Sequence, residues 1–177
     1  TREKVQKIYR EQDLWKVQTE GWTYEGDAVI LANGSKASSV QGADGSGYVL
    51  AKELGHHIIK PLPALTGLKV KGNFFSAWAG VRTDCKVTLW IDGTETASET
   101  GEIQLTDYGV SGIPVFQISG MAARALEEKR KVSVTLNFFP EYTEEKVQEL
   151  LAKREKEYPE LSGTERLLGL LPDKLIK

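Results

Sequence analysis

Cys85-Lys86-Val87-Thr88-Leu89-Trp90-Ile91-Asp92-Gly93 is the stretch that decides how this chain is read. Apolar and polar residues alternate from Cys85 to Leu89, the period of a strand with one buried face, and Trp90-Ile91 continue the strand-like run. Asp92-Gly93 then supplies the two residues that most readily form a tight hairpin turn. The remaining segments around it are also short and strand-like: Leu65 to Val70, Phe74 to Val81, Glu95 to Ser98, and Glu102 to Thr106. Ser111-Gly112-Ile113-Pro114 opens a helix with Pro114 in its first turn and an apolar stripe of Val115, Ile118, Ala122, Ala125 and Leu126. A last strand runs from Val132 to Phe139. Antiparallel strands with frequent turns, interrupted by one helix, predict a small barrel or sandwich. Trp78 and Trp90 fall in predicted strands and are expected in the core, and Cys85 reads as an ordinary strand residue.

N-terminal to this region, Pro61-Leu62-Pro63 holds the backbone extended and marks a boundary. Before it, Leu14 to Thr19 alternates as a strand, Gly21 turns the chain, and Trp22 to Glu25 continues as the hairpin partner. Asp27-Ala28-Val29-Ile30-Leu31-Ala32 is a continuous apolar run, the signature of a parallel strand buried on both faces. After Asn33-Gly34-Ser35 and a Gly-rich loop, Gly42 to Gly47, a helix is predicted from Tyr48 to Leu54, stopped by Gly55. Strand, Gly-rich loop and helix is an arrangement that turns backbone N–H groups toward an anion or cofactor. Beyond residue 139 the chain is helical. Thr143 caps a helix carrying Val147, Leu150 and Leu151, and Ser162-Gly163-Thr164-Glu165 is a capping box before Leu167, Leu168 and Leu171. The unpaired leucine-rich ending predicts that more protein follows Lys177.

Composition excludes several classes. With 177 residues, 40% hydrophobic and 27% charged, the chain has material for a real core. A formal net charge of -2 leaves no basic excess for phosphate backbones, so no nucleic-acid partner is expected. Lys129-Arg130-Lys131 and Lys153-Arg154 sit at predicted helix ends, where dipole complementation and solvation account for them. One cysteine rules out an internal disulfide and points to the cytoplasm. No apolar run reaches membrane-spanning length and no signal-peptide pattern is present, so no membrane partner is expected.

The motifs with chemical content are few. The glycines from Gly42 to Gly47 read G-x-x-G-x-G, which is not the dinucleotide fingerprint. Tyr48 stands where a P-loop needs Lys. Gly109-Val110-Ser111-Gly112-Ile113 misses the nucleophile elbow because Ile113 replaces its last glycine, so Ser111 is expected to be a helix N-cap. His56 and His57 follow Gly55 at a helix end, with no cluster at metal-ligand spacing, and no metal site is expected.

Five blocks carry a resemblance. Asp27 to Lys36, Gly42 to Tyr48 and Leu54 to Leu65 together resemble the BaiN/YhiN-type flavoproteins, the aminoacetone oxidase family of NAD(P)/FAD-dependent oxidoreductases. Leu105 to Ser119, opening Leu105-Thr106-Asp107-Tyr108-Gly109-Val110-Ser111-Gly112-Ile113, is similar to that family's Phe-Thr-His-x-Gly-Ile-Ser-Gly-Pro segment, and Leu170 to Leu175 to its Leu-Leu-Pro-x-x-Leu stretch. The resemblance implies an α+β chain: a partial FAD-domain α/β segment over 1–61, a β-barrel-like insert domain over 62–139, and a helical part of that insert over 140–177.

The resemblance further implies FAD-dependent redox chemistry by an intact parent, with NAD(P)H a candidate electron donor and a small molecule as substrate. Gly34, Ser35, Gly45, Ser46 and Gly47 are implied as the FAD-lining residues, and the loop of Tyr108, Gly109, Ser111 and Gly112 as the substrate side. The first βαβ unit and the C-terminal return of the FAD domain are expected outside this chain, so the fragment alone is expected to be inactive and to hold no tightly bound cofactor. Asn33, Ser35, Asp44, Ser46 and Asp107 depart from the family's residues, which preserves backbone roles at the glycines and leaves side-chain roles open. A free-standing small-anion-binding module and a protein-interaction module remain the alternatives.

Overall fold

The computed structural model describes residues 3–37 and 43–176, so Gly42 of the Gly-rich loop lies outside the described residues. The chain divides into two compact units, Thr1–Pro61 and Leu62–Lys177.

The first unit is an antiparallel meander, β1 (Val5–Glu11), β2 (Leu14–Thr19) and β3 (Thr23–Gly26), followed by helix α1 (Ser46–Glu53). The β2–β3 hairpin is the one its alternation predicts. Strand β1 lies in a stretch that reads only as a charged start. Its turn to β2 is made by Gln12 and Asp13, both with positive φ (48° and 69°), without the glycine that would have announced it. Helix α1 ends in a Schellman arrangement: Gly55, at φ 90°, donates its N–H to the Lys52 carbonyl, and His56 donates to Ala51.

The predicted buried strand Asp27–Ala32 does not form. The segment pairs with no strand among the described residues, and Ile30 is 90% exposed. A strand exists only where its N–H and C=O groups find partners, and the antiparallel meander offers this run no parallel neighbour.

The second unit is one antiparallel sheet of five strands, β4 (Leu68–Lys69), β5 (Arg82–Ile91), β6 (Thr94–Thr106), β7 (Gly109–Gly112) and β8 (Val132–Asn137), in the order β4-β7-β6-β5-β8. The Asp92-Gly93 hairpin is present, with both residues at positive φ (52° and 82°) and Ile91 opposite Thr94. The Asp92 carboxylate also accepts from Arg130 Nε (2.7 Å) and from the Lys131 N–H (2.9 Å), tying the hairpin to the end of helix α3 (Ile113–Glu127). Arg130 therefore makes a tertiary bond where helix-dipole complementation and solvation were expected.

The face of the sheet carrying Cys85, Val87, Leu89, Ile103, Leu105 and Val110 is closed by Val115, Ile118, Ala122 and Ala125 of α3. Each fully buried aliphatic side chain of this layer contributes about 1.5–3 kcal/mol. Leu126 departs from the expected stripe and is 58% exposed. On the other face Arg82, Asp84 and Lys86 are exposed, the alternation of a sheet with one solvated side.

Three strand expectations change in this unit. Glu95–Ser98 and Glu102–Thr106 are parts of the single strand β6, because Gly101 pairs with Cys85 and continues the ladder. A Cβ at Gly101 would lie 3.3 Å from Pro114 Cγ, so this glycine makes room for the start of α3 rather than ending a strand. Of Leu65 to Val70, only Leu68–Lys69 pairs.

Phe74 to Val81 contains no strand. Helix α2 (Phe75–Trp78) forms there, its aromatic rings brought together by i, i+3 and i, i+4 spacing, with Phe75 and Trp78 centroids 5.4 Å apart. Trp78 is half-buried and donates its indole N–H to the Thr106 carbonyl at 3.1 Å. Trp90, also half-buried, donates to Thr135 Oγ1 on the solvated face instead of entering the core.

The C-terminal part holds α4 (Glu144–Glu157) and two 3-10 turns, Glu165–Leu167 and Asp173–Leu175. Thr143 caps α4 as expected, accepting from the Lys146 N–H. The Ser162–Glu165 capping box is formed in both directions, but it starts only a 3-10 turn. Arg154 donates to the Leu168 carbonyl at 2.9 Å and Arg166 pairs with Glu155, which fastens the first of these turns to α4.

Candidate cofactor and substrate sites

The α1 loop is built around two buried glycines. Gly45 is the N-cap of α1 at φ 81°, a conformation that a Cβ disfavours. Asp44 accepts the Ser46 N–H at 2.8 Å and so caps the helix from one residue earlier. Hydrogen bonding from the Ser46 side chain and then its backbone, helped by the Lys4 charge at 3.5 Å, lowers the Asp44 carboxyl to about 2. A carboxylate thus already sits at the positive end of α1.

The turn Asn33-Gly34-Ser35 lies against this loop. A Cβ at Gly47 would fall on the Asn33 side-chain amide, and a Cβ at Gly45 would lie 3.1 Å from both Cγ and Cδ of Lys36. The two Gly-containing segments singled out in the sequence are therefore in contact, joined by Asn33 and Lys36. Gly34 has φ 74° and open space where its Cβ would be, and Ser35 Oγ accepts the Ala37 N–H at 3.2 Å. Asn33 and Lys36 are both exposed; Asn33 meets Gly47 with its terminal amide and Lys36 meets Gly45 with its flexible stem, so both can swing aside. Glycine backbone whose nearest neighbours are movable side chains fits a cofactor that approaches the main chain.

In the second unit the expected substrate-side loop is not one loop. Residues Gly109–Gly112 form strand β7, paired with Ile103 to Thr106. Tyr108 and Gly109 belong to the edge beside β4. The Tyr108 hydroxyl covers Gly67, and a Cβ at Gly109 would strike the Leu68 carbonyl. Ser111 and Gly112 instead line a groove of about 590 Å³ with Arg82, Glu102, Gln104, Ile113 and Phe116. Ser111 is not the α3 N-cap. Gly112 occupies that position without a side-chain bond, because Ser111 stays in the ladder opposite Gln104.

Arg82 donates to Glu102 at 3.0 Å across the groove wall. No group of three His, Cys, Asp or Glu that could hold a metal occurs among the described residues. Among them, too, no helix is long and apolar enough to cross a membrane. Burial raises the Cys85 thiol to about 11 and removes it from nucleophilic chemistry.

Lys36 and the Arg82–Glu102 pair were not singled out as site residues in the sequence. No local pattern marks them: Lys36 reaches a residue nine positions away, and Arg82 and Glu102 meet only through strand register.

Comparison with known proteins adds two findings. Residues 62–177 match the model of the HI0933-like protein barrel and H2TH domain. The chain is also 43% identical over 160 residues, 90% of its length, to a 3-dehydro-bile acid delta(4,6)-reductase of Clostridium scindens. It spans 39% of that reductase.

Proposed function

We propose, from the premise that this chain belongs to the HI0933-like family of BaiN/YhiN-type flavoproteins, that it serves as part of an FAD-dependent reductase acting on a small organic substrate. The observation that carries this reading is the 43% identity to a reductase over 90% of the chain. That similarity extends beyond the barrel to the first unit, where the two glycine segments meet. In this reading residues 1–61 belong to the FAD domain, 62–139 form the barrel-like cap, and 140–177 form its helical part.

Gly34, Ser35, Gly45, Ser46 and Gly47 would hold the cofactor, mainly through backbone approach at the glycines. When bound, FAD supplies the electron transfer, and NAD(P)H is its proposed source of electrons. The protein's own work is to bind, orient and keep water away. Ser111 and Gly112 would face substrate in the groove at the start of α3. Tyr108 and Gly109 would contribute from the neighbouring sheet edge. By the name of the Clostridium scindens reductase, an unsaturated 3-dehydro-bile acid is the substrate to try first.

The test is to purify the whole protein that carries this chain and record its visible absorbance. A stoichiometric flavin spectrum, bleached by NADH or NADPH and restored by an unsaturated 3-dehydro-bile acid, is the expected outcome. A colourless protein that takes up no added FAD would sink the proposal.

A further inference from the structure

We infer that Lys36 is a cofactor-binding side chain whose ammonium offers the flavin a positive charge from the α1 loop; this rests on the flavoprotein reading above. The stem of Lys36 runs across Gly45, with Cγ and Cδ 3.1 Å from where a Cβ would stand. Gly45 is buried beneath it, so Lys36 covers the main chain that the cofactor would approach. The side chain is exposed and attached to a turn, and it can leave this position for the edge of an incoming ligand.

Charge distribution gives Lys36 a role that packing alone does not require. The acid nearest to it in sequence across the loop, Asp44, is already satisfied by the Ser46 N–H at 2.8 Å and by Lys4 at 3.5 Å. Lys36 itself forms no ion pair among the described residues. Among the described residues, Lys36 is thus a cation without an ion-pair partner, lying over the buried main chain of Gly45. A flavin gains negative charge on reduction, and a cation at its electron-rich edge favours that form and raises its potential. The bland alternative is that the four-carbon stem merely shields Gly45 while its tip stays in water.

Substitution can separate charge from stem. Lys36→Met keeps a long unbranched chain over Gly45 without the ammonium, Lys36→Ala removes both, and Lys36→Arg keeps a cation. In the whole protein, flavin affinity is measured by reconstitution of the apoprotein, the midpoint potential by equilibrium dye reduction, and folding by thermal unfolding of the apoprotein.

Lys36→Met and Lys36→Ala are each expected to bind FAD about tenfold more weakly, the scale of one charge-assisted hydrogen bond. Both should also move the midpoint potential to more negative values, while Lys36→Arg stays close to wild type. Lys36→Met matching wild type in both affinity and potential would overturn the inference, whatever Lys36→Ala does. A wild-type protein that binds no flavin would remove the flavoprotein reading itself, and this inference with it.

Discussion

Replacing Gly112 by alanine tests whether the start of α3 is fixed by backbone geometry. Gly112 adopts φ 109° and ψ 167°, outside the regions open to residues with a side chain. A Cβ there would lie 2.8 Å from the Glu102 carbonyl oxygen and 2.9 Å from Ile103 Cα. Both neighbours are backbone of the central strand β6, so neither can rotate away. The dihedral strain alone costs about 1–3 kcal/mol. Displacing a paired strand in a close-packed sheet adds about 1–3 kcal/mol more. The expected destabilisation is thus about 4 kcal/mol, which for a chain of this size lowers the Tm by about 8–16 °C.

Thermal and urea unfolding of Gly112→Ala should be compared with Gly163→Ala, whose Cβ would meet nothing within 4 Å. The control should melt with wild type. If Gly112→Ala melted within about 2 °C of wild type, the reasoning from close approach would be refuted. In that case, loss of substrate binding by the same variant would assign Gly112 a purely ligand-facing role.

Ile118→Ala should cost about 2–5 kcal/mol in urea unfolding because Ile118 is fully buried between α3 and the sheet, whereas Leu126→Ala, at 58% exposure, should stay within about 0.5 kcal/mol; equal effects would contradict the assigned helix face. Cys85, with its thiol at about 11 and no exposed surface, should resist a thiol reagent at pH 7.5 in the native state and react promptly in denaturant; rapid native labelling would refute its burial. Asp44 has a folded-state value of about 2, below the ordinary 3.8, so its contribution is present above pH 3.8 and disappears as pH falls through 2. Asp44→Asn should therefore melt below wild type at pH 7, with the gap closing between pH 4 and pH 2; a gap independent of pH would remove the charge from the explanation.

Local pattern was enough to determine much of this protein. The alternation of Cys85 to Leu89, the Asp92-Gly93 turn and the Pro114 helix start each contain their physical cause within a few residues, and each is present. The family, too, was legible in short blocks of residues. The failures have a different origin. Asp27 to Ala32 has the apolar content of a buried strand, but strand formation depends on partners that its own residues do not specify. Gly101 looks like punctuation until Pro114 is packed against it, and Phe74 to Val81 is ambiguous between strand and helix until Trp78 finds the Thr106 carbonyl.

The candidate site divides along the same line. Gly34, Gly45 and Gly47 could be marked in sequence because a glycine advertises its freedom wherever it stands. That Asn33 roofs Gly47 and Lys36 roofs Gly45, and that strand pairing separates Ser111 and Gly112 from Tyr108 and Gly109, required the tertiary structure. Period and turn chemistry are properties of neighbours along the chain, whereas the path of a lysine stem and the opposition of two strands are set by residues far away in sequence.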